Sequence, residues 1–206
     1  MKERPILMST SMVRATLSGA KTQTRRIMNP QPELQIMPAG KEREALELVG
    51  PQFDPNGWTW KGCRYLPWPD CVAQLCPYGQ PGDRLWVRER WGRCDGGEIA
   101  YFASDYLLPP KFQGWKPSIH MFRRDSRITL EVVSVRVERL QDISDADAIA
   151  EGIERCTEDI EAVRASLVNN SMHCDRYARL WDAINGPGSW DKNPYVWIIE
   201  FRRIKP

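Results

Sequence analysis

Apolar positions along the chain switch between two periods, and the switches outline its elements. The run Pro5-Ile6-Leu7-Met8 predicts a first strand. Residues 11–18 repeat at helical spacing, Met12 with Thr16 and Val13 with Leu17, with Ser11 as N-cap and Gly19 as the stop. Over residues 84–91 the period becomes two: Leu85, Val87, Glu89 and Trp91 share one face, and Arg84, Trp86, Arg88 and Arg90 the other. A short strand over 98–106 should follow. Residues 127–140 carry the clearest strand signal. Ile128, Leu130 and Val132 hold one parity and Val133, Val135 and Val137 the other, so the strand should contain a β-bulge of the kind that bends a barrel corner.

Ser144 then opens a helix over 144–153, with Asp147 at the capping-box position and Ile143 and Ala148 placed as a hydrophobic staple. Its buried stripe reads as Ala146, Ile149, Ala150 and Ile153, which leaves Glu151 beside Asp147 on a more polar side. Residues 175–185 form a second helix, in which Tyr177, Leu180, Trp181 and Ile184 fit the core-facing template and Asn185-Gly186-Pro187 ends it. Short helices are also expected at 42–48 and 159–167. Tyr195, Trp197, Ile199 and Phe201 alternate with Val196, Ile198, Glu200 and Arg202 in a closing strand. Two stretches, 29–80 and 107–126, lack periodicity and read as irregular insertions on one domain spanning 1–206.

A length of 206 residues suits a single core. The formal charge of +2 is nearly balanced, so any contact with nucleic acid must be local, as at Arg25-Arg26, Arg84-Arg88-Arg90, Arg123-Arg124 and Arg202-Arg203. No apolar run is long enough for a membrane span, and Met1-Lys2-Glu3-Arg4 lacks a signal-peptide pattern, so a cytoplasmic protein with reduced cysteines is expected. Cys63, Cys71, Cys76 and Cys94 lie in one region without a C-x-x-C pair, and His120 and His173 fall at no ligand spacing. No metal site and no cofactor is therefore expected.

The stretch from Ser18 to Arg26 holds a glycine, a lysine, two arginines and several hydroxyls, and it cannot build a core. It is either a solvated basic loop or a site in which a glycine turn fixes Lys21 and Thr24 past a helix end while Arg25 and Arg26 offer donors to an anion. The Arg84, Trp86, Arg88 face suits a base and its phosphate, or is an outer face with Trp86 tucked under an insertion. Glu89, among apolar neighbours, lines a pocket or neutralises an arginine.

The pattern Leu17-x-Gly19-x-Lys21-Thr22-x-Thr24-x-Arg26 resembles the signature of ASCH domains, a branch of the PUA-like fold. Pro81-Gly82-Asp83-x-Leu85-x-Val87, residues 140–153 and residues 195–204 resemble further pieces of that family in the same order. The segments 76–89 and 185–190 are similar to the longer members carried by bacteriophages and prophages, which would place the protein in a bacterial host cell. The resemblance implies an α+β, PUA-like fold: a mixed or antiparallel β-barrel with flanking helices. It also implies an amidohydrolase that releases acetate from N(4)-acetylcytidine through a Lys/Thr/Glu group, here Lys21, Thr24 and Glu151. Arg26, Arg25, Trp86, Arg88 and Glu89 would then bind the substrate, a nucleoside or a modified base in nucleic acid. Threonine attack needs a base, and a lysine serves as one when burial or a neighbouring cation lowers its pKa. Two other readings share the motif: a non-catalytic module binding RNA or DNA, and a ribonuclease using Lys21 and Arg26 against a phosphorane.

Overall fold

The computed structural model describes residues 1–29, 31, 51–54, 57–60, 76–104, 112–153 and 172–204. The strands are β1 (Glu3–Leu7), β2 (Gln23–Ile27), β3 (Pro51–Asp54), β4 (Gly57–Trp60), β5 (Arg84–Arg88), β6 (Trp91–Cys94), β7 (Ile99–Tyr101), β8 (Phe112–Lys116), β9 (Thr129–Arg139) and β10 (Tyr195–Ile204). The helices are α1 (Thr10–Ser18), α2 (Asp145–Ala150) and α3 (Met172–Asn185), joined by 3-10 turns at Ser118–His120, Arg123–Asp125 and Leu140–Asp142. The architecture is α+β. A main sheet runs β1-β5-β9-β10-β2, with β1 and β5 parallel and the other neighbours antiparallel. β3 and β4 form a hairpin, and β7-β6-β8 a small separate sheet.

Both faces of β10 are buried, which is why its sequence is apolar almost throughout. Trp197, Ile199 and Phe201 join Ile6, Val13, Leu85, Val87 and Leu130 in a core under the concave side and α1. Val196 and Ile198 pack on the opposite side with Ile143 and Ala148 around α2 and with Tyr177 and Trp181 of α3.

The parity switch in β9 is a real bulge. Ser134 pairs with Glu200 and Val132 with Phe201, so Val133 is skipped in the ladder and stands half exposed. The Ser144 capping box is present in both directions, and Gly19 ends α1 in the left-handed region. Other expectations change. The N-cap of α1 is Ser9, whose hydroxyl accepts from the Met12 N–H, and Ser11 lies inside the helix. The run 84–91 is two strands in two sheets, because the chain turns at Glu89-Arg90 while the apolar alternation continues across the corner. The described part of 107–126 is ordered by pairing: β8 hydrogen-bonds to β6, and two 3-10 turns follow. Within 29–80, the two strands of the hairpin and residues 76–80 are described; the expected helices at 42–48 and 159–167 lie outside the described residues.

The expected barrel closure is absent among the described residues. β1 and β2 are the sheet's two edges and share no ladder. A side chain spans the gap instead, with the Arg26 guanidinium donating to the Leu7 carbonyl at 2.6 Å. Among the described residues no helix is long and apolar enough to cross a membrane.

Candidate active site

Two helix ends meet at the entry to β2. Beyond the left-handed Gly19, the Lys21 N–H donates to the Ala15 carbonyl of α1 at 3.0 Å, and the Thr22 N–H donates to the Ala150 carbonyl of α2 at 2.8 Å. This close approach depends on Gly152, which has φ +94; a Cβ there would stand 2.9 Å from the Ala15 Cβ and 3.3 Å from the Lys21 Cβ. Lys21 is thereby laid along the end of α2. Its Nζ donates to the Glu151 carboxylate at 2.7 Å and to the Glu151 carbonyl at 2.8 Å. The side chains are 0% and 2% exposed, so water contributes nothing to holding the pair. Burial pushes the Lys21 ammonium below its ordinary pKa, and Arg26 and Arg25 push the same way against the opposing pull of Glu151.

Glu151 also accepts from Arg25, at 3.4 Å. Arg25 is fully buried and reaches Asp147 at 3.3 Å and Glu138 at 3.7 Å, yet its Nε has no hydrogen-bond partner. Around this cation Gln23 donates to the Asp147 carbonyl and carboxylate, each at 3.0 Å, while Arg136 ties together Asp147, Glu138 and Glu200. Although burial works against its charge, hydrogen bonds from Ser144 and Gln23, together with Arg25, hold Asp147 down at about 2. Tyr177 is pushed well up by burial and by the Glu151 carboxylate, so it stands neutral beside the cluster.

Alternation along β2 splits the expected residues between two faces. Gln23 and Arg25 turn toward the helices, where Arg25 pairs in register with Ile198. Thr24 and Arg26 pair with Ile199 and Trp197 and so turn to the concave side. Thr24 is buried. Arg26 lies 6.0 Å from the Tyr78 ring, and its Nε is buried without a partner. The structure thus brings together Lys21, Glu151 and Arg25, and sets Thr24 and Arg26 side by side around the edge of the same strand.

No family model, no curated protein and no solved structure matches the chain. The site therefore rests on its own geometry.

Of the remaining expected binding residues, Trp86 and Arg88 keep company, with the guanidinium 5.0 Å from the indole and its Nε donating to the Met121 carbonyl. Glu89 is not in the site. It is buried and takes two hydrogen bonds from Arg127, each 2.9 Å, so of the two roles considered for it, neutralising an arginine is the one observed. Glu151 keeps the expected side beside Asp147 but is buried there; of the expected stripe Ala146 is exposed, and Ala148 is the helix's buried residue. The reason is that Glu151, the C-cap of α2, keeps helical backbone angles (φ -72, ψ -8) and so stays on the Asp147 side of the helix, which Lys21 and Arg25 cover. Asp147, Glu138 and Gln23 were missed as members of the cluster; the four-residue spacing of Asp147 and Glu151 and the alternation of Gln23 with Arg25 were the available signals. Cys76 and Cys94 are free thiols, with Cys76 pushed up to about 11 by burial, and Cys63 and Cys71 lie outside the described residues. Among the described residues no group of three or more His, Cys, Asp or Glu side chains is arranged to hold a metal ion.

Proposed function

We propose that this chain is an ASCH-type, PUA-like amidohydrolase that removes an acyl group from the exocyclic amine of a cytidine-type nucleoside, an N(4)-acetylcytidine-like substrate. One observation carries the reading: a fully buried lysine, its pKa lowered by burial, held by a carboxylate and a carbonyl 130 residues away in the sequence. Such a lysine gives up a proton more readily than an exposed one, because burial disfavours its charged form. Thr24 supplies the attacking oxygen. Its Oγ1 bonds to the acyl carbon as its proton passes to Lys21, and the oxyanion so formed finds the Arg26 guanidinium, which shares Thr24's face of β2. The C–N bond then breaks, the cytosine amine takes the proton back from Lys21, and Glu151 holds the ammonium in line between the two transfers. Water attacks the acyl-threonine and releases the carboxylic acid. A substrate seated at the outer edge of β2, which among the described residues pairs with no strand other than β10, lies between Lys21 at the strand's entry and Thr24 on the strand's other face.

The deciding experiment is hydrolysis of N(4)-acetylcytidine by the native protein, with Lys21→Ala, Thr24→Val and Glu151→Gln beside it and circular dichroism to confirm folding. Turnover is expected in the native protein, rising with pH as Lys21 loses its proton, and a loss of at least about a hundredfold in the lysine and threonine variants. A native protein without turnover overturns the reading. A second reading, an RNA- or DNA-binding module without catalysis, is favoured by the Arg88–Trp86 stack on the outer side of β5. It predicts binding that weakens steeply with salt, whereas turnover of a neutral nucleoside does not.

A further inference from the structure

Cations stacked on aromatic rings are concentrated in one part of this molecule. Among the described residues, six such pairs fall between residues 86 and 127, where about one per 70–80 residues is usual. Residues 84–127 also carry nine cations against five carboxylates, in a chain whose whole surplus is two.

Several of these cations are spoken for: Arg93 by Asp125, Arg127 by Glu89, and Arg123 by Glu3. Others are more open. Arg124 lies 5.3 Å from the Phe122 ring, with its Nε 3.9 Å from the Asp125 carboxylate, and Lys116 lies 5.4 Å from the Trp91 ring at an exposed position. Phe122 is 60% exposed and the Arg124 side chain 76%, an open ring beside an open guanidinium. A guanidinium stacked by its face leaves its N–H edge for a phosphate. The turn carrying this pair is tied to the candidate site by three successive contacts. Arg88 Nε donates to the Met121 carbonyl, Arg88 is the register partner of Leu7, and the Leu7 carbonyl accepts from Arg26.

We infer that Phe122, Arg124 and Lys116, continued by Arg88 and Trp86, form a track for single-stranded nucleic acid that leads to Arg26. Its flanking bases stack on Phe122 and Trp86 while phosphates lie against Arg124, Lys116 and Arg88. Resting on the amidohydrolase reading, this extends the substrate from the free nucleoside to an acylated cytosine presented within a strand.

The test is fluorescence anisotropy with short labelled single strands of RNA and of DNA of the same sequence, across a salt series, using the whole chain. Phe122→Ala is expected to weaken binding on the order of tenfold. Arg124→Ala should reduce the slope of log affinity against log salt by about 0.7, one phosphate contact on a single strand. Arg179→Ala, at an exposed arginine of α3 away from the track, should change neither. Binding of either strand with these responses supports the track. Absence of salt-dependent binding, equal affinity in all three variants, or a duplex bound as tightly as the single strand overturns it. Turnover is scored separately: nucleoside hydrolysis without strand binding removes the track alone, and strand binding without hydrolysis removes the amidohydrolase reading alone.

Discussion

Replacing Glu151 by glutamine removes the negative charge beside Lys21 while keeping the side chain's shape. Both side chains are essentially without solvent, at 2% and 0% exposure, so the remaining ammonium has no water to turn to. Breaking a buried pair from one side costs about 3–5 kcal/mol. Lys21 has an escape, because burial already lowers its pKa, and losing Glu151 removes the two influences that raise it. Its folded pKa in Glu151→Gln therefore drops further below that of the unfolded chain. Between the variant's folded pKa and the native one, the variant's fold has shed a proton that its unfolded chain still holds, so its stability rises with pH by about 1.4 kcal/mol per unit while the native protein's share from Lys21 stays level. The gap between the two proteins should thus be largest at low pH and narrow as pH rises. Urea unfolding followed by tryptophan fluorescence, from about pH 6 to pH 10, measures it directly. A gap that is constant across that range, or below about 1 kcal/mol throughout, would refute the claim that Lys21 is a buried, titrating partner of Glu151.

Other expectations follow from the same contacts. Ser144→Ala removes half of the capping box on α2 and should cost about 1 kcal/mol in urea unfolding, with a matching loss of activity because α2 delivers Glu151. Gly152→Ala forces a left-handed φ of +94 onto a residue whose Cβ stands 2.9 Å from Ala15; calorimetry should show a loss beyond the 1–2 kcal/mol typical of the backbone strain alone, and Ala15→Gly should restore part of it. Asp147, held at about 2 against an ordinary 3.8, stabilises the fold above its ordinary pKa and loses that contribution as pH falls toward about 2. Asp147→Asn should accordingly be less stable than the native protein at neutral pH, with the difference closing on acidification, as acid titration of unfolding would show.

The parts of the fold legible in the sequence were those governed by local rules. The bulge at Val133 shows as a parity switch because a strand's faces alternate whatever lies across from them, and the Ser144 cap shows because its partner is three residues away. The break between β5 and β6 was not legible, since Glu89 and Trp91 keep the alternation of Leu85 and Val87 although they belong to a corner and to another sheet. Glu89's partner Arg127 is 38 residues away, and no local spacing predicts it. The site divides in the same way. The polar stretch after Gly19 marks Lys21 and Thr24 as unusual, but that Lys21 and Arg25 share Glu151, while Thr24 faces away from Arg25, follows from the register of β2 on β10 and from the packing of α2 against β2.

A buried ion pair also separates function from stability. Apolar residues of similar volume in place of a buried pair are often neutral or stabilising by about 1–4 kcal/mol, so the stability of this fold does not by itself require Lys21 and Glu151. Arg25 retains Asp147 at 3.3 Å if Glu151 is lost, which limits the damage from replacing the pair. The double variant Lys21→Met, Glu151→Leu should therefore be at least as stable as Glu151→Gln alone, by the same urea titration, and should lose the steep pH dependence of that variant because no buried lysine remains. Its turnover of N(4)-acetylcytidine should vanish. If the double variant unfolds more readily than Glu151→Gln, the pair is holding the ends of α1 and α2 together; if it still hydrolyses the substrate, Lys21 is not the base.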